Sequence, residues 1–300
     1  MQAMKKSKLK LSREDKIYYA VCYTIIILLS LIVLYPMIYV VSASVSSGTA
    51  LMAGEVWLFP KDITFLGYKT ILQYKNVWIG YRNTIFYTVI GTFINVVMTL
   101  LCAYPLTRNN LMGRKQIMML FTFTMLFSGG MIPNYILMKK LHLLNTVWVM
   151  IITGALSVYN MIVTKTFIQS SIPEELLEAS KIDGCDDIRY FFTILLPLSK
   201  AVIAVISLWY AVGHWNAYFN AFLYLTDKEL YPLQIFLKEI LIQSKVNSEL
   251  MDPEVALAMQ NLQLILKYGM IVISTLPIFC LYPFAQKYFV KGVMIGSVKG

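Results

Sequence analysis

The sequence is poor in the residues from which metal and catalytic sites are built. It contains two histidines, His142 and His214, and four cysteines, none of which forms a Cys-x-x-Cys pair. This scarcity argues against a zinc site or a disulfide framework, and we expect the cysteines to pack as small apolar groups. The motifs GxxxxGK[ST], HExxH and GxSxG are also absent. We therefore predict no catalytic residue, no metal site and no cofactor bound by this chain.

Carboxylates are absent from the long apolar segments of the chain. There are 16 Asp and Glu residues against 26 Lys and Arg, and every acidic residue falls outside those segments. A proton-coupled carrier usually needs an ionisable group near the middle of the membrane, so this absence disfavours one. It argues less strongly against sodium coupling, because backbone carbonyls can also coordinate sodium.

Hydrophobic residues make up 58% of the chain, and its mean hydropathy is +0.64. This composition indicates a polytopic membrane protein, and a spanning helix needs roughly 20 apolar residues. We predict an all-α fold with six transmembrane helices, the first of them too long for a signal peptide. The predicted spans are Ile17 to Val45, Asn83 to Tyr104, Ile117 to Met138, Asn145 to Phe167, Ile194 to Trp215 and Lys267 to Tyr288.

The distribution of Lys and Arg orients the six spans. Basic residues are concentrated in the two tails, in the loop after the second span and around the loop before the fifth. The positive-inside rule then places both termini in the cytoplasm, with tails at 1–16 and 291–300 flanking a membrane domain at 17–290. The extracellular loops are 46–82 and 216–266. Contact with anionic lipid accounts for much of the net charge of +10 without nucleic acid.

The stretch EASKIDGCDDIRYFFTILLP, from Glu178 to Pro197, is polar and acidic between two apolar segments. Ser171 and Glu174 fit a capping box, which predicts a short helix from Pro173 to Ile182. Asp183 and Gly184 then end that helix, because glycine readily adopts positive φ, and Asp186 with Asp187 begin a second one. In isolation this pattern is equally typical of a solvated connector and of a rigid elbow outside the membrane.

The spacing of this stretch resembles the EAA motif of ATP-binding-cassette (ABC) importer permeases. Glu178-Ala179-Ser180, Gly184, Ile194 and Leu196-Pro197 occupy the motif positions, with Ser180 in place of the second alanine. The whole chain is similar to the MetI-like superfamily, in its carbohydrate branch of MalG-like and LplC/YtcP-like permeases. The resemblance implies a type I importer fold and a coupling loop at 171–197. Glu178, Ala179, Ser180, Asp183, Gly184 and Pro197 would link that loop to an ATPase.

The same resemblance implies a set of partners in a bacterial cell membrane. They are a second homologous permease in a heterodimer, two cytoplasmic ATPase subunits carrying ATP and Mg, and an extracellular solute-binding protein. The cargo would be an oligosaccharide, moved by alternating access while the ATPase supplies the energy. The alternatives are a stand-alone secondary carrier or channel, which would transport without ATP, and an intramembrane enzyme, for which the sequence offers no catalytic set.

Candidate pathway residues combine backbone breaks with aromatic and amide side chains. Sugars stack their C–H faces on rings and hydrogen-bond to amides, although Tyr and Trp also occur at membrane interfaces for generic reasons. The Ser128–Gly130 stretch either interrupts the third span beside a watery pathway or simply ends it. The candidates are Gly129, Gly130, Asn134, His214, Trp215, Asn216, Tyr218 and Asn220.

Overall fold

The computed structural model describes residues 12–243 and 253–296, and all regular elements in these ranges are helical. The predicted all-α class is therefore confirmed. Most of the predicted N-terminal tail, part of the 216–266 loop and the last four residues of the chain lie outside the described residues. The α-helices are α1 Arg13–Ser44, α2 Gly48–Met52, α3 Leu66–Gln73, α4 Lys75–Ala103, α5 Arg114–Leu126, α6 Met131–Lys140, α7 Val147–Ile152, α8 Val158–Ser171, α9 Glu175–Ile182, α10 Asp187–Tyr190, α11 Leu196–Leu198, α12 Lys200–Trp215, α13 Phe219–Tyr224, α14 Leu233–Gln243 and α15 Pro253–Gly296.

In the described part of the chain, three helical stretches are long and apolar enough to cross a membrane alone. They are Arg13–Ser44, Lys75–Thr107 and Glu254–Cys280. Two bent pairs meet the same requirement when each is taken as one span: α5 with α6, bent by 111°, and the Asp187–Leu198 stretch with α12, bent by 79°. The structure thus supports three to five spans by length and composition, and the count of six stays a prediction.

The predicted fourth span, Asn145 to Phe167, is not one continuous helix. It divides into α7 and α8 around a break in which Gly154 has a φ of +83°. The segments predicted as loops are also partly helical. α2, α3 and the start of α4 fall within 46–82, whereas α13, α14 and the start of α15 fall within 216–266.

The chain divides into two compact units, the first formed by residues 1–70 and 246–272. A capping box between Ser12 and Asp15 starts α1, whose apolar side chains are largely exposed. Its last turn is buried, and there the Ser44 hydroxyl lies 2.8 Å from the Tyr68 hydroxyl. An exposed apolar helix of this length is suited to contact with lipid or with another spanning protein.

The second unit, residues 71–245 and 273–300, is organised around α4. Helices α7, α8, α12 and α14 all pack against it. The buried residues of α4 include polar side chains that recur at helical spacing along one face. Those polar residues are Asn83, Thr84, Thr88, Asn95 and Thr99.

Candidate functional site

The first candidate site is the elbow, defined here as residues 172–199. Its helix α9 starts at Glu175, and the predicted capping box is wrong, because Ser171 is still the last residue of α8. A turn at Pro173 and Glu174 replaces the capping box, with the Leu177 N–H donating to the Glu174 carbonyl at 2.9 Å. The short helix itself is confirmed, and it begins two residues later than predicted.

The predicted end of α9 and the start of the next helix are confirmed. Gly184 has a φ of +76°, directly after the C-cap residue Asp183. The Asp186 carboxylate then caps α10 by accepting the Arg189 N–H at 2.7 Å. A π-helical stretch, Phe191–Leu195, leads into α11, which contains Pro197 and ends at the bend before α12. Local turn chemistry thus sets the path of the elbow.

Helix α9 has an outward and an inward face. Glu178, Ala179 and Asp183 are exposed, and Ile182 is 87% exposed. The inward face includes Leu177, which packs in a cluster with residues of α4, α8 and the π-helical stretch. One of the six predicted coupling residues, Ser180, is only 5% exposed, and its hydroxyl donates to the Leu177 carbonyl at 2.7 Å. Its small size therefore serves the packing of α9 onto its own chain.

The second candidate site is the polar face of α4, where Asn95 and His214 meet. Asn95 is 1% exposed, and its amide nitrogen donates to the carbonyls of Gly154 at 3.1 Å and Ala155 at 2.8 Å. Its oxygen lies 2.6 Å from Nε2 of His214. Because that oxygen can only accept, the hydrogen-bond network assigns the proton of this contact to Nε2. Asn95 thus satisfies the carbonyls of the α7–α8 break, which membrane lipid could not do.

Hydrogen bonds to Tyr210 stabilise the other side of the α7–α8 break. The Tyr210 hydroxyl accepts the Ser157 N–H at 3.0 Å and lies 2.8 Å from the Thr99 hydroxyl. Sequence reasoning identified His214 but missed Asn95, Thr99 and Tyr210. The available signal was the helical spacing of polar residues within an otherwise apolar span.

The other pathway candidates near the end of α12 differ in their accessibility. Trp215 is 4% exposed, and its indole N–H donates to the Ser274 carbonyl at 2.8 Å. In contrast, Asn216 is exposed, and Tyr218 and Asn220 are half-buried. The Lys238 ammonium lies 3.0 Å from the Tyr218 hydroxyl and 4.2 Å from the centre of its ring. The accessible side chains near the end of α12 are therefore the Asn216 amide and the Tyr218 phenol, with the Lys238 ammonium beside the phenol.

The remaining three candidates lie at the α5–α6 break. The helix breaks at the predicted stretch, since α5 ends at Leu126 and Gly130, with a φ of +86°, precedes α6. Both predicted alternatives, an interrupted span and a span that ends here, fit this break. Gly129, Gly130 and Asn134 are exposed. One turn of α6 is packed, because the rings of Tyr135 and Tyr224 stack with their centres 6.1 Å apart. Whether the break lines a pathway stays a prediction.

Residues 77–295 match the family described as the inner membrane component of binding-protein-dependent transport systems. The chain belongs to this family of permeases. It is accordingly a multi-pass translocation subunit of a bacterial cell membrane, with the MetI-like fold of ABC importers.

Two relatives and one solved structure are similar to this chain over nearly its whole length. The permease is 42% identical over 272 residues to the protein LplC of Bacillus subtilis, covering 90% of each chain. It is 38% identical to the polygalacturonan/rhamnogalacturonan transport system permease protein YtcP of the same organism, over 96% of this chain and all of the relative. A crystal structure of a bacterial ABC transporter involved in the import of the acidic polysaccharide alginate contains a chain 35% identical to this one. The TM-score is 0.84, over 94% of this chain and all of the other.

Proposed function

We propose that this permease passes an oligosaccharide from an extracellular solute-binding protein to the cytoplasm, driven by ATP hydrolysis on two separate ATPase subunits. The observation that carries the proposal is the elbow, in which an exposed helix with the EAA spacing is packed onto the bundle through its inward face. A solvated connector would not need that packing. The relatives named for saccharide transport support the class of cargo.

The outward face of α9 is the proposed docking surface for an ATPase subunit. Exposed Ile182 offers apolar area, while Glu178 offers a carboxylate to a basic group of the partner. Leu177 on the opposite face ties α9 to the ends of α4 and α8. Movement of the ATPase would therefore displace the spans as well as the elbow. ATP and Mg would reside on the partner, and this chain would bind no cofactor.

Of the candidate pathway residues, we propose the accessible ones as saccharide contacts. Asn216 and Tyr218 can supply an amide and an aromatic ring, and Lys238 lies beside that ring. Trp215 and His214 are engaged within the chain, so we assign them to positioning of the end of α12. The exposed glycine break between α5 and α6 remains a candidate part of the pathway, together with Asn134 and Asn220.

A second, homologous permease is the proposed partner within the membrane. The apolar side chains of α1 are exposed along most of its length, so this helix can be covered by lipid or by another membrane protein. We propose a heterodimer with both termini of this chain in the cytoplasm. The extracellular solute-binding protein would then meet the loops at 46–82 and 216–266.

Charge reversal on α9 tests the proposed docking. Glu178→Arg should abolish copurification of the ATPase and reduce saccharide uptake on the order of tenfold or more, because an interface carboxylate becomes a repelling cation. The matched control is Glu14→Arg, a reversal at the exposed start of α1, on the side also predicted to be cytoplasmic. Unchanged ATPase binding and uptake in Glu178→Arg would refute the docking role.

A further inference from the structure

The loop that follows α4 contacts the elbow at two separate places. This loop, residues 104–114 and here called the strut, contains a short 3-10 turn, Pro105–Thr107, and leads into α5. Neither the EAA spacing nor the resemblance to ABC permeases assigns a role to it.

The first contact is an arginine that lies beside two tyrosine rings, whose centres are 6.3 Å apart. The Arg108 guanidinium carbon lies 4.4 Å from the centre of the Tyr104 ring and 5.0 Å from that of Tyr190 in α10. The two rings are nearly parallel, with an interplanar angle of 23°. One guanidinium nitrogen also donates to the Tyr104 hydroxyl. A planar cation in contact with both rings joins the end of α4 to α10 of the elbow.

Contact with the rings outweighs ion pairing at Arg108. Arg108 lies 4.0 Å from the Asp187 carboxylate, whose side chain is 65% exposed, so solvent screens the pair. The Arg108 side chain itself is 19% exposed, and its Nε has no hydrogen-bond partner among the described residues. The rings, rather than the carboxylate, therefore hold the guanidinium in place.

The second contact lies at the other end of α9. The Asn109 amide nitrogen donates to both carboxylate oxygens of Glu174, at 3.1 and 3.2 Å. Arg114 orients that amide by donating to its oxygen at 2.7 Å and to the Arg108 carbonyl at 3.2 Å. The strut thus reaches the residue before α9 and, through Tyr190, the helix after it.

We propose that the strut is a second mechanical link between the elbow and the bundle, with Arg108 as its principal positioning residue. The elbow is joined covalently to α8 and α12, but α4 is reached only through side chains. Displacement of α9 would pass through Arg108 to the cytoplasmic end of α4, the helix around which the second unit is built. The inference rests on the proposed coupling function of α9, and it adds a residue whose loss uncouples ATP hydrolysis from transport.

The test uses the assembled importer in proteoliposomes and measures uptake per ATP hydrolysed. Arg108→Met keeps an unbranched apolar stem but removes the guanidinium, and we expect this ratio to fall roughly tenfold while ATPase copurification and ATP hydrolysis persist. Arg108→Lys should recover part of the loss. Asp187→Asn and Arg189→Met, the latter an exposed arginine of α10, should both remain near the unsubstituted ratio.

A rescue experiment separates a mechanical role from a merely structural one. In a cysteine-free Arg108→Met background, Asn109→Cys and Glu174→Cys joined by a short thiol cross-linker should restore the ratio, because a covalent bond between strut and elbow then replaces the lost arginine contact. An unchanged ratio in Arg108→Met, loss of ATPase copurification, or failure of the cross-link to restore coupling would overturn the proposal. ATP-independent uptake by the unsubstituted protein would instead refute the proposed function itself.

Discussion

At the scale of single residues, a glycine and an amide side chain allow a helix break and a close helix contact that apolar side chains alone would not allow. Asn95 satisfies two carbonyls of the α7–α8 break, and Gly91 lets the His214 ring approach α4. Since hydrocarbon offers no hydrogen bonds, each unsatisfied carbonyl at membrane depth would be costly. The polar face of α4 therefore supplies the hydrogen bonds that the break between α7 and α8 needs.

Two glycine substitutions measure how closely α4 and α12 approach. A Cβ at Gly91 would lie 2.5 Å from Cε1 of His214 and 2.9 Å from its Cδ2, whereas one at Gly213 would meet nothing within 4 Å. Gly91→Ala should therefore destabilise the permease by about 1–3 kcal/mol, as overpacked sites do. Gly213→Ala, also within a helix, should be neutral or stabilising. Thermal unfolding in detergent makes the comparison, and equal midpoints for the two variants would contradict the close approach.

At the scale of elements, the elbow was predictable because its signals are local. Asp186 accepts a bond from a residue three positions on, and Gly184 needs only its own freedom at positive φ. The strut was not predictable, because Arg108 and Tyr190 are far apart in sequence and only the fold brings them together. The α7–α8 break escaped notice because its residues, TGALS, are small or apolar and do not interrupt the hydropathy.

The turn at Gly184 tests the rigidity of the elbow. A Cβ there would meet nothing within 4 Å, so any effect of a substitution must come from the backbone angle of +76°. Gly184→Val should lower uptake, because a β-branched residue pays about 1–2 kcal/mol or more in this conformation and would shift the turn. Gly184→Asn should be tolerated, because asparagine visits the same conformation. Comparable uptake by the two variants, at equal expression, would show that the turn need not be stiff.

At the scale of the whole molecule, hydrophobicity identified the membrane class, while the count of six crossings stays a prediction. The third and fifth predicted spans are sharply bent pairs, and the fourth is split. A hydropathy window averages over such breaks and therefore reports one span where the chain turns. The family match shows the fold, whereas the predicted orientation of the chain rests on the distribution of its basic residues.

Thiol labelling of intact cells tests that orientation. In a cysteine-free background, Ile63→Cys should react with a membrane-impermeant maleimide, because residue 63 is exposed in the predicted outer loop. Ile188→Cys, exposed in α10, should react only after the membrane is permeabilised. The opposite pattern would reverse the assigned topology and place the elbow on the wrong side for an ATPase.

The most direct test of the account is concentrative uptake by purified components in liposomes. The permease would be reconstituted alone and together with its second permease, ATPase and solute-binding protein, with labelled oligosaccharide outside and ATP supplied to the ATPase. We predict accumulation only in the complete assembly, and only while ATP is hydrolysed. Accumulation by the permease alone, without nucleotide, would contradict the claim that this chain depends on an external motor acting through its elbow.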